Sequence, residues 1–123
     1  MPVFLAIALG GATGSVLRYY VGRAIQGPSP AGFPTGTLVV NVLGCLIVGA
    51  LSRWFLGHDT SRVVQSGMIA GFCGGFTTFS AFSIETVGLL TGGHVLKAMT
   101  YAMVSVVACL AATTAGFFML PSR

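Results

Sequence analysis

Four long apolar segments alternate with short polar or glycine-rich links along the chain. With about 20 apolar residues taken as the length that crosses a bilayer, the segments cover residues 3–25, 35–57, 63–90 and 95–120. The first link, at 26–34, holds three prolines and two glycines, which neither a helix nor a strand retains. The second link offers three residues that could cap the following helix, Asp59, Thr60 or Ser61. The pattern predicts an all-α membrane protein with one domain, residues 1–123, whose four transmembrane helices leave both termini on one side.

The first segment has an alternative interpretation as a signal peptide, because its opening run MPVFLAIALGG is short. It lacks the basic region that precedes the apolar core of such peptides. The apolar pattern also continues through Leu17 and Val21, so cleavage would remove half a span. We therefore expect a transmembrane helix here.

Composition supports a lipid environment. Only 7% of the residues are charged and 54% are hydrophobic, whereas soluble chains carry about a quarter charged residues. The mean hydropathy is +0.92, and a soluble fold is excluded for so small and apolar a chain. The net charge of +4 reflects six cations, scattered singly, and two acidic residues. The cations form no basic patch, so nucleic acid is not expected as a partner.

Motifs for catalysis and metal binding are not found in the sequence. The three cysteines, Cys45, Cys73 and Cys109, form no CxxC pair and no metal-type spacing, so we expect free thiols packed as small apolar side chains. The chain has no Ser/His/Asp set and no phosphate-binding loop. The protein is therefore not expected to be an enzyme.

Positive charges are almost evenly divided between the two sides of the predicted bundle. They are Arg53, Arg62 and Arg123 on the side of the termini, Arg23 and Lys97 on the other, and Arg18 inside the first segment. Since cytoplasmic loops normally collect Lys and Arg, this balance predicts insertion in both orientations and pairing of oppositely oriented copies. A single orientation, fixed by one residue assigned to the wrong side, remains the alternative.

The third segment contains the polar run GFCGGFTTFSAFSIE at 71–85. Gly74 and Gly75 followed by Thr77 and Thr78 favour an unwound helix, whose freed backbone groups would face an ion or a water-filled cavity. The alternative, small residues that allow close helix packing, explains the glycines but not the polar cluster with its aromatic residues. A broken third helix is therefore predicted.

Phenylalanines follow the predicted break at helical spacing. Phe79 and Phe82 are three residues apart and share a face, as do Phe76 and Phe79. A phenylalanine ring presents an electropositive edge, which attracts an anion. A stripe of aromatic side chains that only fills the core is the other interpretation.

Polar residues on the other segments could complete an anion pathway. Asn41 is the strongly polar residue of the second segment, and Tyr101 and Ser105 share one face of the fourth. Together with Ser80, their amide and hydroxyl groups would replace the water around an anion. Asn41 could instead tie two helices together.

Arg18 and Glu85 are charged residues inside predicted spans. Either they pair structurally, or one of them serves a transported species.

Three motifs resemble a known family, the small bacterial fluoride channels called Fluc or CrcB. GGATGSVLRYY at 10–20 is similar to the family's glycine-rich opening motif, and PTGTLVVNVLG at 34–44 is similar to its Gly-Thr-Leu-x-x-Asn element. GFCGGFTTFSAFSIE at 71–85 resembles its signature. The motifs occur in the family's order and spacing over about four-fifths of the chain, which makes the resemblance specific.

The resemblance implies a dual-topology antiparallel homodimer that spans the cell inner membrane in contact with lipid. Two pores in such a dimer pass fluoride passively and give fluoride resistance, and a structural sodium ion lies at the dimer interface. The choice of fluoride over chloride rests on the resemblance alone, because composition does not rank halides.

The resemblance also implies roles for individual residues. The fluoride pathway would comprise Asn41, Phe79, Phe82, Ser80, Tyr101 and Ser105. Backbone carbonyls of Gly74 and Thr77 from each copy would hold the sodium ion. Arg18 corresponds to a vestibule arginine and Glu85 to an acid after the break. Ala81 departs from the family's frequent threonine, so the polar track is expected to be sparser here.

Two other classes of membrane protein remain open at this point. A small multidrug transporter can also be a four-span dual-topology dimer, but it needs a titratable carboxylate near the membrane midplane. Glu85 lies past the break, toward one end of its span. An assembly subunit without a transport role would not need the seam of aromatic and hydroxyl groups.

Overall fold

The computed structural model describes residues 1–27 and 32–121, and this part of the chain is built from helices. The elements are α1 (Val3–Gln26), α2 (Thr35–Gly57), α3 (Arg62–Ser66), a π-helical segment (Gly67–Cys73), α4 (Gly74–Phe76), α5 (Phe79–Thr91) and α6 (Val95–Met119). Arg123, which enters the charge balance above, lies outside the described residues.

Four stretches are long and apolar enough to cross a membrane: Val3–Gln26, Thr35–Gly57, Arg62–Thr91 and Val95–Met119. They match the four predicted segments to within one residue at each end, and the prediction of an all-α, four-span membrane protein is confirmed. Large apolar side chains cover the outside of the helices, for example Phe4, Leu96 and Phe118, which are 68%, 78% and 75% exposed. Such a surface suits lipid.

Polar links bring the spans together in short turns. Ser61 caps α3, because its hydroxyl oxygen accepts a hydrogen bond from the Val64 backbone N–H at 3.4 Å; Ser61 is thus the cap among the three candidates. Between α5 and α6, Gly93 has a φ of 78°, in the left-handed region that glycine adopts without strain. The His94 N–H then reaches back to the Leu89 carbonyl at 2.8 Å, which closes the turn.

Glycines allow neighbouring helices to pack backbone to backbone. A Cβ atom added at Gly10 or Gly14 of α1 would overlap the Gly67 or Phe72 carbonyl oxygen of the third span. A Cβ atom added at Gly49 of α2 would likewise overlap the Thr113 carbonyl of α6. Small residues at such contacts let membrane helices approach closely.

The third span changes conformation at Thr77 and Thr78. α4 ends at Phe76, and the φ and ψ angles are −84° and 156° at Thr77 and −149° and 109° at Thr78, which is extended backbone. α5 then starts at Phe79, capped by the Thr78 hydroxyl, which accepts from the Ala81 N–H at 3.1 Å. Gly74 keeps helical angles of −63° and −37°, so the extended residues are the threonines rather than the glycines before them.

The three cysteines are free thiols, as expected from their spacing. Cys73 is buried, and Cys45 and Cys109 are partly buried between helices.

Candidate functional site

The extended segment is held in place by the side-chain amide of Asn41. The Thr78 N–H donates to Asn41 Oδ1 at 2.7 Å, and Asn41 Nδ2 donates to the Thr78 carbonyl oxygen at 3.1 Å. Asn41 therefore satisfies both backbone groups that leave the helical ladder at Thr78, which would otherwise be costly inside a membrane. A carboxamide nitrogen carries two hydrogens, so one donor of Asn41 remains for another acceptor.

A groove of about 500 Å³, which we call the phenylalanine groove, lies beside this segment. Six of the predicted site residues line it: Asn41, Gly74, Thr77, Phe79, Phe82 and Ser105. The structure thus brings together residues from three of the four spans. All three cysteines also border the groove.

Ser105 presents an unpaired hydroxyl at this groove. The residue is 6% exposed, and its Oγ is buried without a hydrogen-bond partner among the described residues. A buried hydroxyl without a partner is unfavourable by about 1–3 kcal/mol, so such groups usually mark a position that a ligand or water fills. Ser105 is therefore a residue of the groove lining whose buried hydroxyl has no partner among the described residues.

Aromatic rings form a chain along one side of the groove. The ring centroids of Phe79 and Phe82 are 5.3 Å apart with planes tilted by 45°, and those of Phe82 and Tyr101 are 5.2 Å apart. Phe79 is 77% exposed in the single chain. Phe76 instead stacks on Phe72 with centroids 5.9 Å apart, because the extended residues 77–78 interrupt the helical register that would have aligned it with Phe79.

Tyr101 and Glu85 are joined behind the groove. Tyr101 is fully buried at 0% exposure, and its hydroxyl donates to Glu85 Oε2 at 2.7 Å. Thr37 donates to the other carboxylate oxygen, Oε1, at 2.6 Å. The Tyr101 hydroxyl hydrogen, expected above to serve an anion, is therefore committed to Glu85 in this conformation.

A second cavity, of about 690 Å³, lies on the other side of Thr78 and is called the arginine cavity here. Its lining includes Arg18, Thr37, Thr78, Ala81, Glu85 and His94. Thr78 borders both this cavity and the phenylalanine groove, so the two spaces adjoin at this residue.

Arg18 and Glu85 both border the arginine cavity, but they bind different partners. Arg18 Nε donates to the Gly75 carbonyl oxygen at 3.1 Å, and Ser15 Oγ donates to the same oxygen at 3.4 Å. The carbonyl groups in the last turn of a helix lack intrahelical donors, and Gly75 is in the last turn of α4. The arginine thus caps a helix end at the edge of the arginine cavity.

Ser80 and Ala81 lie at the edge of this arrangement. Ser80 Oγ is 3.1 Å from Thr78 Oγ1, and Ser80 is exposed rather than part of the groove lining. Ala81 faces the arginine cavity, so the missing threonine hydroxyl would have bordered that cavity.

Two residues of the site were not singled out from the sequence for the contacts they make. Thr37 lies one turn before Asn41 on α2, and its bond to Glu85 depends on how α2 and α5 are rotated against each other. Thr78 was part of the predicted break. A residue that leaves a helix needs new partners for its backbone N–H and C=O groups, and this requirement could have predicted the pairing with Asn41.

Comparison with known proteins identifies the family. Residues 5–117 match the family model described as CrcB-like protein, Camphor Resistance (CrcB). A fluoride-specific ion channel FluC of Pseudomonas fluorescens is 45% identical over 117 residues, which cover 94% of this chain and 94% of the relative. One from Thermus thermophilus is 48% identical over 102 residues, 83% of this chain and 82% of the relative. One from Paracoccus denitrificans is 45% identical over 113 residues, 92% of this chain and 90% of the relative.

The match extends through all four spans and includes the three motifs that carry the resemblance. It exceeds what a chance similarity between apolar helices would give, because identity near one half persists over almost the whole length of each chain. The chain therefore belongs to the CrcB family.

Proposed function

We propose that this protein is a channel through which fluoride crosses the membrane passively. The proposal rests on one observation above all: Ser105, whose buried hydroxyl has no hydrogen-bond partner among the described residues, lines a groove together with Asn41, Phe79 and Phe82. The relatives are named as fluoride-specific ion channels, and the protein is not an enzyme, as its family indicates.

Fluoride is small and strongly hydrated, so a selective pathway must replace its water with hydrogen-bond donors. Ser105 Oγ–H and the second hydrogen of Asn41 Nδ2 supply such donors, and the edges of Phe79 and Phe82 supply positive electrostatic potential. Among the residues that line the groove, none is acidic, so no fixed negative charge opposes an anion there.

The pathway continues past Thr78 into the arginine cavity. Arg18 contributes a permanent positive charge to this cavity, which raises the local concentration of anions. Glu85 also borders the cavity, but its two oxygens accept hydrogen bonds from Thr37 and Tyr101. These bonds spread its negative charge and hold the carboxylate toward α2 and α6.

The working unit in this proposal is an antiparallel homodimer with two pores. Phe79 is 77% exposed, so a single chain leaves one side of the phenylalanine groove open. A second copy of opposite orientation would close that side, and the even distribution of Arg and Lys favours insertion both ways.

A sodium ion at the dimer interface is part of the same proposal. Gly74 is the first residue of the three-residue α4, and Thr77 directly follows its last. Their carbonyl oxygens lie where the helical hydrogen bonds stop, so they carry partial negative charge, and both residues border the open groove. A hard cation prefers oxygen ligands of this kind. Their carbonyls, repeated in the second copy, would bind the ion and hold the two copies together.

The experiment that tests the function is anion efflux from liposomes. Purified protein is reconstituted into vesicles loaded with fluoride or with chloride, and release is followed with ion-selective electrodes after a potassium ionophore is added. The proposal expects fast fluoride release and chloride release near that of empty vesicles. Equal release of both anions contradicts fluoride selectivity, and no release of either contradicts the channel itself.

The same vesicles distinguish a channel from a proton-coupled transporter of the multidrug type. A passive channel releases fluoride down its gradient at a rate that a proton ionophore leaves unchanged. A transporter that uses Glu85 to exchange protons would require the proton gradient. Dependence on that gradient would overturn the passive mechanism.

A further inference from the structure

One side chain, that of Gln26, connects the end of α1 to the end of the following link and to the start of α2. Gln26, the last residue of α1, donates from Nε2 to the Phe33 carbonyl oxygen at 3.3 Å. Its Oε1 accepts from the Gly36 N–H at 2.9 Å. We call this pair of bonds the Gln26 clamp. One carboxamide therefore fixes where Phe33 stands and where α2 begins.

The clamp works at close range because Gly36 has no side chain. A Cβ atom added at Gly36 would lie 2.5 Å from the Gly22 carbonyl oxygen and 3.2 Å from Gln26 Cβ. The start of α2 thus lies directly against the last turn of α1. Small shifts of Gln26 would move α2 with it.

Phe33 carries the effect of the clamp to Tyr101. Their ring centroids are 5.4 Å apart at an angle of 83°, an edge-to-face contact. Phe82 contacts the Tyr101 ring at 5.2 Å, so Tyr101 has an aromatic neighbour from the link and another from α5. Phe33 also packs against the buried cluster that contains Tyr101.

The clamp also reaches the second donor to Glu85. Thr37 directly follows Gly36, whose N–H Gln26 holds, and Thr37 donates to Glu85 Oε1 at 2.6 Å. Tyr101, which Phe33 contacts, donates to Glu85 Oε2 at 2.7 Å. Both hydrogen-bond donors of the carboxylate are therefore positioned from the same link.

We propose that Gln26 and Phe33 are positioning residues for the anion pathway, which fix the Glu85 carboxylate through Thr37 and Tyr101. This inference rests on the proposed fluoride channel. When the clamp or the ring contact is lost, the Thr37 and Tyr101 hydroxyls no longer hold the Glu85 carboxylate in place. Its negative charge then turns into the arginine cavity that it borders. An anion then meets a mobile negative charge on its route.

The test compares Phe33→Leu with a matched control, Phe117→Leu. Phe117 makes the same kind of contact, edge to face with Phe118 at 5.4 Å, but it lies near the end of α6 and borders neither cavity. We expect Phe33→Leu to lower fluoride efflux by about fivefold or more relative to Phe117→Leu. Phe33→Tyr keeps the ring and should restore the wild-type rate.

A double-mutant cycle separates positioning from plain packing. Tyr101→Phe keeps the ring but removes the hydroxyl that holds Glu85. If Phe33 acts through that hydroxyl, Phe33→Leu should lower efflux much less in the Tyr101→Phe background than in wild type. Melting temperatures measured on the same samples report any general loss of stability.

Gln26→Met gives an independent variant if Phe33→Leu does not fold, because it keeps the length of the side chain and removes both clamp bonds. It should reduce efflux, and by a smaller factor in the Tyr101→Phe background, because part of its effect reaches Glu85 through Phe33 and Tyr101. Additive losses, or rates within about twofold of the Phe117→Leu control, overturn the inference even when the wild-type channel conducts fluoride. A wild-type protein that releases no fluoride instead refutes the proposed function.

Discussion

Asn41 and Thr78 form a reciprocal pair in which one side-chain amide replaces both helical partners of one backbone residue. The two hydrogen bonds, of 2.7 and 3.1 Å, connect α2 to the extended segment of the third span. This pairing explains how two extended residues persist inside a membrane protein, where unpaired backbone groups are costly. It also places the amide at the phenylalanine groove, so the same residue serves the fold and the proposed pathway.

Asn41→Asp should strongly lower fluoride efflux and also weaken the fold. A carboxylate still accepts from the Thr78 N–H, but it cannot donate to the Thr78 carbonyl, and it adds a negative charge to the groove. A hydrogen bond to an ion contributes about 1.5–3 kcal/mol, so efflux should fall by about tenfold or more. The measurement is fluoride release from vesicles with equal amounts of folded protein.

Gln65→Glu is the matched control for this change. Gln65 also donates its side-chain amide to a backbone carbonyl, that of Thr60 at 2.9 Å, but it lies outside the groove and the cavity. Its efflux should stay near the wild-type rate. A loss as large as that of Asn41→Asp would mean that any such change near the third span disrupts conduction.

Phe82→Ile and Phe79→Ile should reduce transport more than stability. Isoleucine keeps most of the apolar volume, so the packing loss at Phe82 should be about 1 kcal/mol, while the positive ring edge disappears. Phe79 is largely exposed in the single chain, so its replacement should lower the stability less than that of Phe82. Size exclusion shows whether the variants recover as dimers, and fluoride efflux from the same preparations shows whether they conduct.

If these rings only fill space in the core, stability should be lost before transport. Destabilisation would come first, and any dimer that survived would conduct normally. Wild-type flux from a folded Phe82→Ile dimer would therefore refute the contact between that ring and the anion.

Both orientations should be found in the membrane. The near-equal counts of Arg and Lys on the two sides motivate this prediction, and reporters fused to the C-terminus should be detected in both compartments. Two or three lysines added to the link at 26–34 should lock one orientation and lower activity, and co-expression of an oppositely locked copy should restore it. A reporter signal confined to one compartment in the unmodified protein contradicts dual topology.

Removal of sodium should destabilise the dimer if Gly74 and Thr77 carbonyls bind it. Purification in a large organic cation in place of sodium should lower dimer recovery on size exclusion, and returning sodium should restore it. The proposed site would use backbone dipoles rather than carboxylates, so the effect should not require an acidic residue. Recovery that is indifferent to the cation argues against a structural sodium ion.

The four spans could be predicted closely from the sequence, because the chain leaves the apolar pattern abruptly at each link. Proline and glycine mark the end of α1, and polar residues mark the start of α3. The link at 26–34 was identified only as a helix breaker, since the clamp formed by Gln26 depends on a close approach of α1 and α2 that spacing does not reveal.

The partners of the charged residues could not be predicted in the same way. Spacing along one helix indicates which residues share a face, but it does not give the rotation of one helix against another. Glu85 accepts hydrogen bonds from the hydroxyls of Thr37 and Tyr101 rather than pairing with Arg18. Arg18 bonds to the Gly75 carbonyl because the helix ends there and leaves that acceptor free.

Ser105→Ala tests most directly whether the groove conducts fluoride. The hydroxyl has no partner among the described residues, so its removal relieves an unfavourable buried group and should leave the melting temperature unchanged or raised. Ser83→Ala, which removes an exposed hydroxyl bonded to the Phe79 carbonyl, is the control. Fluoride efflux and melting temperature are measured together on wild type and both variants. The account predicts that Ser105→Ala alone loses flux, by about tenfold, without loss of stability. Wild-type flux from a stable Ser105→Ala protein would contradict it.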